Sequence, residues 1–209
     1  MKTILAAALA LVLAAPAAAQ ETAPPAAREA GSPTAHRHLG FALRLDAGIG
    51  GMGVTAPSAV DSRSSVSGGL GVVVGGAVAE NLILGGDLWG TGMMGRWSMM
   101  QSGDTAHGLG GVGLNVTYYL MPANVYLSAS PSVTTLTSMT HSNVTSSTNV
   151  TGSVGFGAKL SVGKEWWVGE HWGLGLAGQF LASWNGNQGA TPGTWTTLGG
   201  GVALSATYN

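Results

Sequence analysis

Residues Val150–Trp184 read VTGSVGFGAKLSVGKEWWVGEHWGLGLAGQFLASW. Taken by twos, the first part places Val150, Val154, Phe156, Ala158, Leu160 and Val162 on one side. The last part does the same with Trp172, Leu174, Leu176, Phe180, Ala182 and Trp184. The positions between are small or polar, with Lys159 in one run and Gln179 in the other. A period of two marks strands with two different faces. The break at Gly163–His171 predicts a turn, and the stretch predicts a hairpin.

The same period extends outward from this hairpin in both directions. A first strand carries Leu39, Phe41, Leu43, Leu45, Ala47 and Ile49 on one face, and Gly40, Ala42, Arg44, Asp46 and Gly48 on the other. A second carries Val66, Leu70, Val72, Val74 and Val78. A third runs from Leu82 to Gly92. Its register sets Leu82, Leu84 and Leu88 against Asp87, because the opposite register would turn the carboxylate toward the apolar side. A fourth holds Val112, Leu114, Val116, Tyr118 and Leu120. A fifth starts at Val125 and is blurred by Pro131, and an eighth ends the chain with Leu198, Val202, Leu204, Ala206 and Tyr208. The expected connections alternate. Long ones span Thr55–Ser65, Met93–His107, Thr134–Asn149 and Asn185–Pro192. Short ones are Ala79–Asn81, Met121–Asn124 and Gly163–His171. Short turns on one side and long loops on the other are the habit of outer-membrane barrels, and an even strand number returns both chain ends to the periplasm.

Composition supports a membrane barrel. Only 8% of the 209 residues are charged, 45% are hydrophobic and the net charge is −1. A soluble domain of this size covers itself with far more charge, about a quarter of its residues. The body of the chain has no apolar run long enough for a spanning helix, and only helices and closed barrels satisfy their backbone in lipid. A soluble barrel shares the alternation with its apolar face inward. Here, however, the second face is mostly Gly, Ser, Ala and Thr, a poor skin for water and a good filling for a narrow interior. There is no cysteine, so disulfides and thiolate metal sites are excluded. The charge balance gives no footprint for nucleic acid.

The N-terminus has the form of an export signal: Met1-Lys2, an apolar core from Ile4 to Leu13, and Ala17-Ala18-Ala19 before Gln20. The expected organisation is a signal peptide over 1–19, a disordered periplasmic leader over 20–37, and an outer-membrane β-barrel over 38–209. The fold class is all-β, an antiparallel up-and-down transmembrane barrel of about eight strands.

The aromatic residues Tyr118, Trp166, Trp167, Trp172, Trp184, Trp195 and Tyr208 fall near strand ends and predict girdles at the two interfaces. With these strands, and with the alternating ending Val202–Asn209, the chain resembles the small eight-stranded outer-membrane barrels of the OmpX and OmpA-barrel type. Its last aromatic, Tyr208, is penultimate where that superfamily usually ends on one. The resemblance implies outer-membrane lipids (lipopolysaccharide and phospholipid) and the barrel-assembly machinery as partners.

The chosen registers turn Arg44, Asp46, Asp87, Asn115, Lys159 and Gln179 into the lumen. Eight strands leave a space that side chains just fill. These groups therefore predict a salt-bridged plug, and a structural or surface-interaction role for the protein. One alternative is a narrow gated pore for small solutes or ions, lined by the same groups. A second is a lipid acyl hydrolase or transferase, for which His141-Ser142-Asn143 and Asp104 with His107 are the available residues. Met93, Met94, Met99, Met100 and His107 supply soft ligands in one loop, and His36 and His38 two imidazoles in the leader. Methionines more often pack than ligate. No catalytic set, metal site or cofactor is expected.

Overall fold

The computed structural model describes residues 38–57, 62–93, 105–142, 147–187 and 192–209; the expected signal peptide and leader lie outside them. Eight strands follow in order: β1 (Phe41–Thr55), β2 (Ser62–Ala79), β3 (Leu82–Met93), β4 (Thr105–Leu120), β5 (Val125–Ser142), β6 (Ser147–Trp167), β7 (Trp172–Gly186) and β8 (Thr194–Tyr208). Each pairs antiparallel with the next, and β8 returns to β1 from Leu43↔Tyr208 to Thr55↔Thr196, closing an up-and-down barrel.

The alternation read in the sequence is the alternation of faces. Ile49, Leu70, Leu114, Phe156, Leu174 and Val202 stand outward and exposed, while their neighbours in sequence turn inward. An apolar skin around a closed barrel is energetically sensible only in lipid. In β4 that skin runs from Val112 to Leu120, about the span a tilted transmembrane strand needs.

Glycine allows the strands to close. Gly50 and Gly201 oppose one another on β1 and β8, both facing inward. A Cβ on Gly201 would lie 2.3 Å from the Ile49 carbonyl oxygen, and one on Gly50 2.2 Å from that of Gly200. Gly75 on β2 and Gly85 on β3 form a second such pair. No other residue permits this approach. At the short turns Asn81 and Asn124 hold positive φ, which asparagine tolerates better than most residues.

Several expected connections are shorter than the sequence suggested: β2 already begins at Ser62 and β4 at Thr105. The Thr134–Asn149 segment is mostly the end of a long hairpin, since β5 reaches Ser142 and β6 begins at Ser147. Pro131 does not end β5. Its missing N–H coincides with a gap in the β4 ladder, between Gly113↔Ser132 and Val116↔Ala129, while pairing to β6 runs unbroken through Pro131↔Ala158. Likewise β6 continues to Trp167, so the Gly163–His171 turn contracts to 168–171.

The barrel lumen as candidate functional site

The interior is filled in three layers. At the middle lie the expected charges. Asp87 binds Lys159 Nζ at 3.0 Å, and Arg44 Nε lies 3.5 Å from Asp46 Oδ2. The two pairs are joined through β4 and β5. Arg44 donates to Ser128, Asn115 Nδ2 donates to both Ser128 and Ser130, and Ser130 donates to Asp87 at 2.6 Å. All five expected groups other than Gln179 are buried here. Gln179 is half-buried and lines a cavity of about 50 Å³ beside Asp46 and Lys159, against the glycine wall of Gly48, Gly69 and Gly71. Asp87 is both paired and hydrogen-bonded, the condition under which buried charge persists, whereas Asp46 is held by its ion pair with Arg44 and its carboxylate oxygens accept no hydrogen bond.

Toward the short turns the filling becomes aromatic. Tyr119 and Tyr126 are fully buried with Ile83 and Ala42. The Arg44 guanidinium sits 4.8 Å from the Tyr126 ring centre. Tyr126 finds room because Gly163 opposite has no side chain; a Cβ there would meet the ring at 2.5 Å. His38 stacks on Tyr119 and hydrogen-bonds Asn124 Oδ1 through Nε2 at 2.8 Å. Its Nδ1 meets the Asn209 side-chain amide. Burial lowers the His38 pKa below the ordinary histidine value, partly offset by the Asn124 bond.

Glu165 belongs to this layer and was missed, because the sequence placed it in a turn. It is buried, and its Oε1 accepts from Thr207 at 2.6 Å and from Tyr119 at 3.4 Å. The signal was present: continuing the period of two from Lys159 through Ser161 and Gly163 lands on Glu165.

Toward the long loops the interior holds an apolar cluster, which the sequence reading did not anticipate, beside a buried polar set in which Asn185 donates to Thr134 and accepts from Ser183. Met52, Val54, Trp89, Met93, Leu109 and Leu136 form one buried cluster, with Leu181 and Trp195 packed on it. Trp89 lies against the bare backbone of Gly111 and donates to Ser132 at 3.1 Å. Met93 is thus a lumen residue and not a loop ligand; Met94, Met99, Met100 and Asp104 lie outside the described residues. Among the described residues no cluster of His, Asp or Glu could hold a metal ion.

His107 also faces inward, as the cross-strand partner of Ser138, and its Nδ1 is 2.9 Å from the Ser138 hydroxyl. The sequence reading had offered Ser142 as the serine. Trp195, 5.8 Å away by ring centres, completes the cluster. Among the described residues no carboxylate hydrogen-bonds His107; Asp104, the carboxylate that the sequence offered beside it, lies outside them.

The aromatic girdle divides. Tyr118, Trp166 and Trp172 are exposed on the outer face at the turn end, where Tyr208 meets Trp172, and Trp184 is exposed nearer the loops. Trp167 and Trp195 instead turn inward. Trp167 follows Trp166 and must take the opposite face, where it meets His38, and Trp195 shares the inward parity of Thr197.

The fold is that of the small outer-membrane barrels. Neisserial surface protein A is similar over 80% of this chain and 97% of its own, at 12% identity and a TM-score of 0.51. Ail, the attachment invasion locus protein of Yersinia pestis, is similar over 81% and 100%, at 7% identity and a TM-score of 0.54. No protein-family model matches the chain, and no curated protein matches it in sequence. The likeness lies in architecture: an eight-stranded outer-membrane-type barrel with a lumen of its own.

Proposed function

We propose that this chain is a sealed outer-membrane barrel whose role is exercised at its loop-end rim, with its short turns and both chain ends in the periplasm. The observation that carries this reading is the closed lumen. An aromatic layer, a hydrogen-bonded layer of paired charges and an apolar layer succeed one another along the axis. A conducting path would have to break all three. The cavity beside Lys159 has room for a few waters and is lined by Asp46, Trp89 and Gln179. What remains available for function is the outside: the apolar skin, which engages lipid, and the rim. The two similar barrels are by name a surface protein and an attachment invasion locus protein, and a surface role of that class suits a barrel that does not conduct. Outer-membrane lipids and the assembly machinery are its expected partners.

Planar-bilayer recording of the refolded protein tests the reading. The expected trace is flat, with no unitary steps under applied voltage. Regular ion-conducting steps from a heat-modifiable, folded preparation would replace the sealed barrel with the pore. Protease shaving of intact cells tests orientation, and the long loops are the expected sites of cleavage.

A further inference from the structure

Toward the short turns, the outward face of β6 runs Leu160, Val162, Lys164 and Trp166, all exposed. Among the described residues Lys164 is the only lysine or arginine on the outside of the barrel wall; Arg44, Arg63 and Lys159 share the inward parity of their strands. A basic side chain facing lipid is costly at mid-depth and nearly free at the interface. The rings around Lys164 mark that depth. Trp166 follows it on the same face, and Tyr118 and Trp172 stand exposed at the same end.

The ammonium is held in place. It donates to the Ala123 carbonyl and lies 5.7 Å from the Trp166 ring centre. One carbonyl uses one of its three N–H groups. Among the described residues no carboxylate pairs with it: Glu165 beside it faces inward, and Glu170 in the following turn forms no ion pair with it. Away from the turns the surface becomes apolar, with Val162 and Leu160 on β6 and Leu176 and Phe180 on β7. Between the last two, Gly178 opposite Val162 has no side chain and leaves a notch in the skin. A cation at interface depth above a notched apolar strip matches one kind of molecule end to end, with a phosphate above and an acyl chain below. A free phosphate would leave the strip unused, and an uncharged lipid the ammonium. Across the barrel, β2 and β3 present Val78, Leu82 and Leu84 at this end, with neither ring nor cation.

We propose that Lys164, Trp166 and the apolar strip below them form a binding site for an anionic glycerophospholipid of the phosphatidylglycerol class. Its phosphate meets the Lys164 ammonium, and one acyl chain lies along Val162 and Leu160 over the Gly178 notch. A zwitterionic phosphatidylethanolamine competes poorly, because its own ammonium already neutralises its phosphate. The site holds whether or not the barrel conducts. It rests on the periplasmic placement of the short turns, which makes phospholipid of that leaflet the source of the phosphate.

The test places the full barrel in nanodiscs of phosphatidylethanolamine and phosphatidylglycerol in equal parts and identifies the retained lipid by native mass spectrometry. The wild type is expected to retain phosphatidylglycerol over phosphatidylethanolamine by about fivefold, the effect of one lysine at a charged surface. Lys164→Gln abolishes the preference and Lys164→Arg keeps it. Lys164→Gln with Leu82→Lys moves the charge to β3, away from the ring and the notch, and does not restore it. A heat-dependent gel shift confirms that each variant is folded. Equal retention by the wild type and Lys164→Gln overturns the proposal. So does recovery by Leu82→Lys, which would reduce the site to charge alone. Protease shaving of whole cells separates the failures. Cleavage at the short turns overturns the assignment to periplasmic phospholipid even with retention in nanodiscs intact, whereas a conducting barrel that retains the lipid sinks only the sealed reading.

Discussion

His38 and Tyr119 stack face to face, their ring centres 3.5 Å apart and their planes 16° from parallel, at the mouth where both ends of the barrel sequence meet. The imidazole is neutral by arrangement. Nε2–H donates to Asn124 Oδ1, leaving Nδ1 to accept from the Asn209 amide. Tyr119 and Trp167 cover its faces.

A histidine whose folded pKa lies below its unfolded value contributes stability above the unfolded value, near 6.5, and loses it as pH falls toward the folded one. The barrel is therefore expected to unfold in detergent at a lower temperature at pH 5 than at pH 7.5. His38→Phe keeps the stacking and removes the proton site, so it flattens that part of the profile. Identical profiles for the two proteins would show that His38 does not titrate on unfolding.

Lys159→Met leaves Asp87 buried with Ser130 as its remaining partner. Removing one member of a buried pair costs about 3–5 kcal/mol. The midpoint of urea-driven unfolding in vesicles should fall accordingly. The double variant Lys159→Met with Asp87→Leu should recover much of the loss, because no lone charge remains. A loss from Lys159→Met below about 1 kcal/mol, the level of an exposed pair, would mean the pair is solvated.

Gly201→Val places a Cβ 2.3 Å from the Ile49 carbonyl oxygen across the β1–β8 seam, where only backbone could yield. This variant is expected to lose the compact, heat-sensitive gel form. Gly51→Ala meets nothing within 4 Å and should stay within about 0.5 kcal/mol of wild type. Equal folding of both would show that the seam does not need its close approach.

Leu160 faces lipid near the middle of the apolar run of β6, whereas Thr137 faces outward on β5 beyond Val133, the last exposed large apolar residue described on that strand. Leu160→Arg should cost about 2–4 kcal/mol in bilayer folding measurements, and Thr137→Arg about 0–1. Equal costs would move the membrane boundary toward the loops.

Much of this architecture is written in the sequence because its physics is local. A two-residue period and a change of polarity at each turn are visible without any knowledge of partners, and they placed Arg44, Asp46, Asp87, Asn115 and Lys159 on the inner face. The misreadings arose where distant partners decide. Pro131 and the Ser/Thr run after it resemble a loop, yet unbroken pairing to β6 holds them as strand. Trp89 and Tyr126 are large rings facing inward, and what admits them is an absent side chain on a neighbouring strand, Gly111 or Gly163. His107 finds Ser138 through register, a quantity that belongs to two strands together.

The seam between β8 and β1 is as fully laddered as those bridged by a hairpin, and beyond it His38 touches Asn209. Mechanically the barrel is a hoop of eight staves, with seven junctions tied by chain and the eighth held by hydrogen bonds. The hoop does not record which junction lacks a covalent tie. Nature could cut this circle at another turn, splice His38 to Asn209 through a short link, and leave every layer of the lumen in place.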